Sequence, residues 1–192
     1  MPEPPTSPRK AELLDAAYQY ALTHGLTGLS LRPLAQAVGS SPRVLLFLFG
    51  SKDGLVRALL TRARAEELDL LDAVRREEPA DLCATARRLW QWLAAAEHRG
   101  LLTLWVEAYA TSLVAPEGPW ADFARETVTD WLDLLAAHQP ATVRGTPAGA
   151  AERSRVLALL RGALLDLLAT GDRERTTAAV HRGLPVGGDG HG

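Results

Sequence analysis

The fold is decided in residues 30–51, whose sequence is SLRPLAQAVGSSPRVLLFLFGS. Three serines each precede a segment rich in apolar residues: Ser30, Ser41 and Ser51. A serine in this position can accept a hydrogen bond from a first-turn amide that has no partner within the helix. Pro42 follows directly at a first helical position, where the missing N–H costs nothing. The spacing predicts a helix, a tight turn and a second short helix, with a third helix beginning after the last serine.

The second of these helices, residues 42–49, would be about 12 Å long at a rise of about 1.5 Å per residue. A helix of that length is not stable alone, but it fits the major groove of DNA. In a helix-turn-helix the second helix enters that groove with its N-terminal residues toward the base edges. Arg43 is therefore the candidate for a bidentate contact to guanine, with a solvent-facing arginine as the alternative.

The rest of the chain also has helical periodicity, and strand alternation is missing from the sequence. Ser7 and Pro8 begin a first helix that ends at His24, before Gly25. A long helix runs from Ser51 to about residue 76, and further helices follow. The fold class is predicted as all-α.

Charge is distributed unevenly along the 192 residues. Up to residue 64 the chain carries eight Lys and Arg against four Asp and Glu, and the remainder carries 13 against 19, so a net charge of +4 precedes one of -6. A basic N-terminal third is expected where one end of a protein meets a polyanion, although random clustering of solvated charges gives the same pattern.

Several classes of protein are disfavoured by the composition. No apolar run approaches the about 18 residues of a membrane-spanning helix. The N-terminal residues lack the features of a secretory signal, and Cys83 is the single cysteine, so a cytoplasmic location is expected. No phosphate-binding glycine loop, zinc helix or nucleophile elbow occurs, so we expect neither enzyme activity nor a cofactor or metal.

Three motifs occur in order at a characteristic spacing: residues 13–17 (LLDAA), residues 29–35 (LSLRPLA) and residues 49–55 (FGSKDGL). Over residues 9–63 the chain resembles the DNA-binding domain of TetR-family transcriptional regulators. The resemblance implies an all-helical homodimer with an N-terminal three-helix helix-turn-helix domain and a C-terminal helical domain for ligand binding and dimerisation. The excess of 19 Arg over 2 Lys indicates a GC-rich bacterial genome. It also implies binding to a near-palindromic operator, usually as a repressor that a small ligand releases.

The resemblance leads to a division of the chain into a disordered tail at 1–8, a DNA-binding domain at 9–63, a ligand-binding and dimerisation domain at 64–183, and a second disordered tail at 184–192. Helices at about 120–138 and 150–169 stand where the family pairs helices between subunits. The alternative is that these helices only complete the core of the monomer. A helical ligand-binding or adaptor protein of the same fold, with degenerate DNA binding, is the alternative function.

The candidate DNA-contacting residues are Ser30, Arg32, Ser41, Pro42, Arg43, Val44, Phe47 and Lys52. By resemblance, Ser30, Arg32 and Lys52 contact phosphate, which positions a protein without reading sequence. The chain departs from the family at Leu46, Phe47 and Leu48, where a tyrosine and often histidines are usual. Phe47 either meets a thymine methyl or packs inward, whereas Leu45 and Phe49 are expected in the core.

All five tryptophans lie beyond residue 89, in the acidic part of the chain. An apolar pocket for a small apolar or aromatic ligand is hypothesised among Trp90, Trp105, Tyr109 and Trp131. Each of these residues taken alone is better explained as a core or dimer contact.

Overall fold

The computed structural model describes residues 7–76 and 81–184. Their helices are α1 (Pro8–His24), α2 (Leu31–Ala37), α3 (Pro42–Phe49), α4 (Lys52–Arg76), α5 (Leu82–Leu93), α6 (Arg99–Val114), α7 (Phe123–Ala137), α8 (Ala141–Arg144), α9 (Pro147–Thr170) and α10 (Arg173–Gly183). No strand occurs within the described ranges, which confirms the all-α prediction. None of their helices is long and apolar enough to span a membrane. Residues 1–6 and 185–192, which make up most of the two predicted tails, lie outside the described residues.

Serine caps begin three helices as predicted. The hydroxyl oxygens of Ser7, Ser41 and Ser51 accept hydrogen bonds from the amides three residues further along, at 3.3, 3.3 and 2.9 Å. Each cap satisfies an amide that the helix itself cannot pair. The caps therefore set the first residue of α1, α3 and α4.

Ser30 is different, and the prediction of a side-chain cap there was wrong. Ser30 precedes α2 in an extended conformation, but its hydroxyl accepts no capping hydrogen bond. The residue three positions further on is Pro33, which has no N–H to donate. The Ser30 hydroxyl, on an exposed residue, is thus left for other contacts.

The chain divides into two compact units, and the first comprises the described residues within Met1–Glu66 and Thr103–Ala124. Its core contains Leu13, Leu34, Leu45 and Leu59, all at most 2% exposed. These side chains come from α1, α2, α3 and α4, so the short helices α2 and α3 are stabilised by packing rather than by their own length.

A polar cluster also joins α1 to α4 inside the first unit. The Tyr18 hydroxyl donates to Glu66 at 2.9 Å, and the guanidinium of Arg62 lies 5.3 Å from the centre of the Tyr18 ring. Burial raises the pKa of Tyr18, and the hydrogen bond and charge of Glu66 add to the shift. The phenol therefore stays protonated and continues to donate across the physiological range.

The second unit comprises the described residues within Glu67–Leu102 and Arg125–Gly192. Here α5, α9 and α10 pack against one another, and Trp90, Leu160 and Val180 are buried. The boundary between the units falls inside α4, and residues 103–124 group with the first unit. The domain limits at 63 and 183 stay a prediction.

The connection from α9 to α10 is held by capping and charge. Gly171 ends α9 in the left-handed conformation, with φ 71° and ψ 2°. Asp172 then caps α10 by accepting from the amide of Arg175 at 3.0 Å. The guanidinium of Arg175 donates to both carboxylate oxygens of Asp166 at 2.7 Å, which holds the pKa of Asp166 below its usual range.

Candidate nucleic-acid interface

Helix α3 has one buried face and one exposed face. Leu45 and Phe49 are four residues apart and are 1% and 9% exposed, which confirms their predicted place in the core. On the exposed side, Val44 and Leu46 are each 39% exposed and Phe47 is 85% exposed. Residues three and four apart lie on the same side of a helix, so Phe47 shares its face with Val44 and Arg43. Phe47 therefore does not pack inward in this chain.

The turn between α2 and α3 is tight. Gly39 takes a positive φ of 61°, and the amide of Ser40 donates to the carbonyl of Ala35 at 2.8 Å. This hydrogen bond pairs a carbonyl at the end of α2 while the chain reverses direction toward Pro42. The arrangement fixes α3 at the surface of the first unit, with its N-terminal turn exposed.

Three exposed cations stand on first turns of successive helices: Arg32 on α2, Arg43 on α3 and Lys52 on α4. None of them takes part in an ion pair within residues 7–76 and 81–184. The N-terminal turn of a helix carries a partial positive charge and unpaired amides, which favour anions. Cations in these positions suit an anionic partner.

All eight predicted DNA-contacting residues belong to the first unit and reach its surface. The exposed ones are Ser30, Arg32, Arg43, Val44, Phe47 and Lys52, and the half-buried ones are Ser41 and Pro42. The half-buried pair forms the cap and first position of α3. Contact of any of these residues with DNA stays a prediction.

Glu107 is a residue that the sequence analysis missed. This side chain of α6 lies in the first unit and accepts hydrogen bonds from the amide of Leu26, at 2.8 Å, and from the amide of Thr27. A Cβ atom at Gly25, where φ is 75°, would stand only 2.9 Å from the Glu107 carboxylate. Gly25 thus allows the carboxylate to approach the loop that leads into α2. The contact joins residues 80 or more positions apart, so no local pattern could predict it.

The four residues of the hypothesised ligand pocket fall in different units, and the pocket stays a prediction. In the first unit, the rings of Trp105 and Tyr109 stack with centroids 5.6 Å apart. In the second, Trp90 is fully buried and its indole N–H donates to Thr177 at 3.0 Å. The indole N–H of Trp131 donates to the buried carboxylate of Glu67 at 2.5 Å. Glu67 is a further buried polar residue that the sequence did not single out.

Residues 13–59 match the family described as bacterial regulatory proteins, tetR family. A solved structure of the multidrug binding protein EbrR, complexed with imidazole, is 27% identical, with a TM-score of 0.65, and the alignment covers 94% of this chain and 92% of EbrR. The chain has the fold and the N-terminal domain of a TetR-family transcriptional regulator. The match from 13 to 59 includes every predicted DNA-contacting residue and none of the predicted ligand residues.

Other solved structures have a fold similar to that of this chain at lower identity. A transcriptional regulator from Rhodococcus sp. Rha1 is 20% identical, with a TM-score of 0.75 over 91% of this chain and 93% of the other. A TetR transcription regulator from Haloarcula marismortui is also 20% identical, with a TM-score of 0.70 over 92% and 95%. No curated protein sequence matches the chain.

Proposed function

We propose that this protein is a homodimeric transcriptional regulator that binds a near-palindromic DNA operator through α3 and is released by a small ligand, acting in the cytoplasm as a repressor. The observation that carries the proposal is the exposed Arg43 on the first turn of α3, without an ion-pair partner in the described part of the chain. A guanidinium in that position can donate two hydrogen bonds to the O6 and N7 atoms of guanine.

The remaining interface residues divide by chemistry. The cations Arg32 and Lys52 and the uncapped hydroxyl of Ser30 contact phosphate, which sets the register of the protein on the duplex. Ser41 and Pro42 begin α3 and so place Arg43 on the first turn. Neutralising phosphates releases counterions, so binding weakens steeply as the salt concentration rises.

Helix α9 supplies a surface for a second copy of the chain. Its exposed positions include a row of small or apolar residues at helical spacing: Ala158, Gly162, Leu165 and Ala169. A Cβ atom added at Gly162 would meet nothing within 4 Å, so this row is uncovered in the single chain. We expect this surface of α9, together with α7 at residues 123–137, to pack against the same two helices of the second copy and form an intermolecular helix bundle. A two-fold dimer would place two copies of α3 on half-sites about 34 Å apart.

The releasing ligand is proposed to be a small apolar or aromatic molecule. EbrR, similar to this chain over most of its length, has also been solved in complex with proflavin. The aromatic residues predicted to contact such a ligand are Trp90, Trp105, Tyr109 and Trp131. Proflavin is thus a suitable first probe. Because this cationic acridine itself intercalates into DNA, the measurement is quenching of the protein's tryptophan fluorescence by proflavin in the absence of DNA.

The test of the proposed function is selection of bound duplexes from a random pool by the full-length protein, at two salt concentrations. We expect a two-fold symmetric consensus whose affinity falls steeply with salt. Arg173→Ala removes an exposed arginine on α10 and is the matched control for Arg43→Ala. It should leave the consensus and its affinity unchanged. Failure to select any duplex at low salt would overturn the proposal.

A helical ligand-binding or adaptor protein with degenerate DNA binding is the second candidate. It is favoured by the apolar residues Leu46 and Phe47 on the exposed side of α3, because neither can hydrogen-bond a phosphate. This candidate predicts weak binding to every duplex and no consensus. The same selection therefore separates the two functions.

A further inference from the structure

The exposed face of α3 contains almost no hydrogen-bonding side chain. Between Pro42 and Phe49 the only polar residue is Arg43. Each α3 can therefore make one directional contact to a base edge, whereas the rest of its exposed face is formed by Val44, Leu46 and Phe47. Hydrogen bonds from the side chains of α3 can therefore specify only one base pair of a half-site.

Packing within the first unit does not explain why an aromatic ring stands at position 47. At 85% exposure its ring contributes little to the core of the first unit, and it lies next to two further exposed apolar side chains on the same short helix. Single exposed apolar residues are common, but a contiguous apolar patch indicates a binding surface. This apolar patch, Val44, Leu46 and Phe47, is therefore in a position to contact a partner.

The surrounding charge indicates which partner. The apolar patch lies on the same unit as Arg32, Arg43 and Lys52, three cations without an ion-pair partner in the described part of the chain, and Arg43 is on the same helix. The apolar surface of a partner protein would offer no anionic group to these cations, whereas duplex DNA offers phosphates with which they can pair. In the major groove the apolar group that a helix can meet is the C5-methyl group of thymine.

Resting on the proposed function, we propose that Phe47, assisted by Val44, reads thymine methyl groups, so that each operator half-site combines a guanine for Arg43 with a nearby thymine. Arg43 and Phe47 are four residues apart, a rise of about 6 Å along the helix, which is close to two base-pair steps of about 3.4 Å. The thymine is therefore expected within about two base pairs of the guanine. The methyl contact replaces the polar contacts that α3 lacks.

Deoxyuridine substitution tests this proposal, because uracil lacks only the methyl group and keeps the hydrogen-bonding edge of thymine. Each thymine of the selected operator is replaced in turn, and affinity is measured with the full-length protein. We expect about a 4-fold loss of affinity at one or two positions of a half-site, the effect of exposing one buried methyl group. Replacement in both half-sites should give about a 16-fold loss, because distant changes add in free energy.

Phe47→Ala assigns the effect to the side chain. This variant should lose most of the preference for thymine over uracil at the sensitive position, with Val44 accounting for the remainder, while the guanine near it remains essential. Val114→Ala is the matched control, because Val114 is 86% exposed in the same unit and lies on α6. This control should discriminate thymine from uracil as well as the unchanged protein does.

The outcomes distinguish this proposal from the proposed function. Equal affinity of the unchanged protein for thymine and uracil at every position would overturn methyl reading and leave DNA binding intact. An undiminished preference of Phe47→Ala for thymine would also overturn it. Failure to bind any duplex would overturn both proposals. Self-association that disappears in Phe47→Ala would instead assign the apolar patch to a second copy of the chain.

Discussion

Arg43 and Lys52 are both exposed cations, but they are expected to contribute differently to DNA binding. Arg43→Ala should cost about 1–3 kcal/mol on the selected operator and relax the preference at one base pair. Lys52→Ala should weaken all duplexes and reduce the slope of log affinity against log salt by about one. Titrations of operator and random duplexes at several salt concentrations measure both effects. Equal losses on all sequences for both variants would contradict this division of roles.

Glu107 is expected to stabilise the loop before α2. Glu107→Ala leaves the amides of Leu26 and Thr27 without their acceptor, so we expect the free energy of unfolding to fall by about 2 kcal/mol. Urea denaturation measures the loss, and hydrogen exchange should show faster exchange at both amides. Glu117→Ala, at an exposed residue whose side chain makes no capping hydrogen bond, is the control. Unchanged exchange at Leu26 and Thr27 would argue against the role of the carboxylate.

Individual residues also show where sequence reasoning succeeds and where it fails. Arg43 could be placed on a first turn because Ser41 and Pro42 are local signals for a helix start. The error at Ser30 was avoidable, since Pro33 removes the amide that the hydroxyl would accept. The contacts of Glu107 with Leu26 and Thr27 had no such signal, because contacts between distant segments depend on the packed structure.

At the scale of helices, α7 contains a buried threonine whose removal should stabilise the fold. Thr127 is fully buried, and its hydroxyl has no hydrogen-bond partner among the described residues. An unpaired buried hydroxyl is unfavourable, and valine has nearly the same shape. We expect Thr127→Val to raise the free energy of unfolding by about 1 kcal/mol and the Tm by about 2–4 °C.

Thr129→Val on the same helix is the control for this change. Thr129 is exposed, and its hydroxyl donates to the carbonyl of Arg125 at 3.1 Å. Its replacement should change stability by less than about 0.5 kcal/mol, as is usual at the surface. Calorimetry on the two variants and the unchanged protein makes the comparison. A lower Tm for Thr127→Val would contradict the inference that the buried Thr127 hydroxyl lowers the stability of the fold.

Helix limits were predictable largely because caps and breakers are local. The predicted long helix from Ser51 to about residue 76 is α4, and the predicted helix at 150–169 is contained in α9 at Pro147–Thr170. The short helix α8 was not expected in a segment rich in Gly, Pro and Thr. Four residues provide too little periodicity to be detected, and α8 is stabilised by its packing on α9.

At the scale of the whole molecule, sequence periodicity could not decide whether α9 completes the monomer core or faces a second copy. Both its buried positions, such as Leu160, and its exposed positions, such as Leu165, are apolar. Only the folded structure distinguishes the buried apolar positions from the exposed ones, because burial depends on which helices are neighbours. The grouping of residues 103–124 with the first unit is likewise a result of tertiary packing that no sequence pattern indicated.

The proposed dimer can therefore be tested by a change that leaves the single chain intact. Gly162→Arg places a charge on the row of small residues of α9, where the chain has open space. Arginine favours a helix more than glycine does, so the helical signal and the Tm of the folded chain should not fall. We expect monomers by analytical ultracentrifugation, together with loss of two-fold operator binding, because a buried charge without a partner opposes association. Ala179→Arg, at an exposed position of α10, should leave the dimer unchanged, and a dimer that persists in Gly162→Arg would exclude this interface.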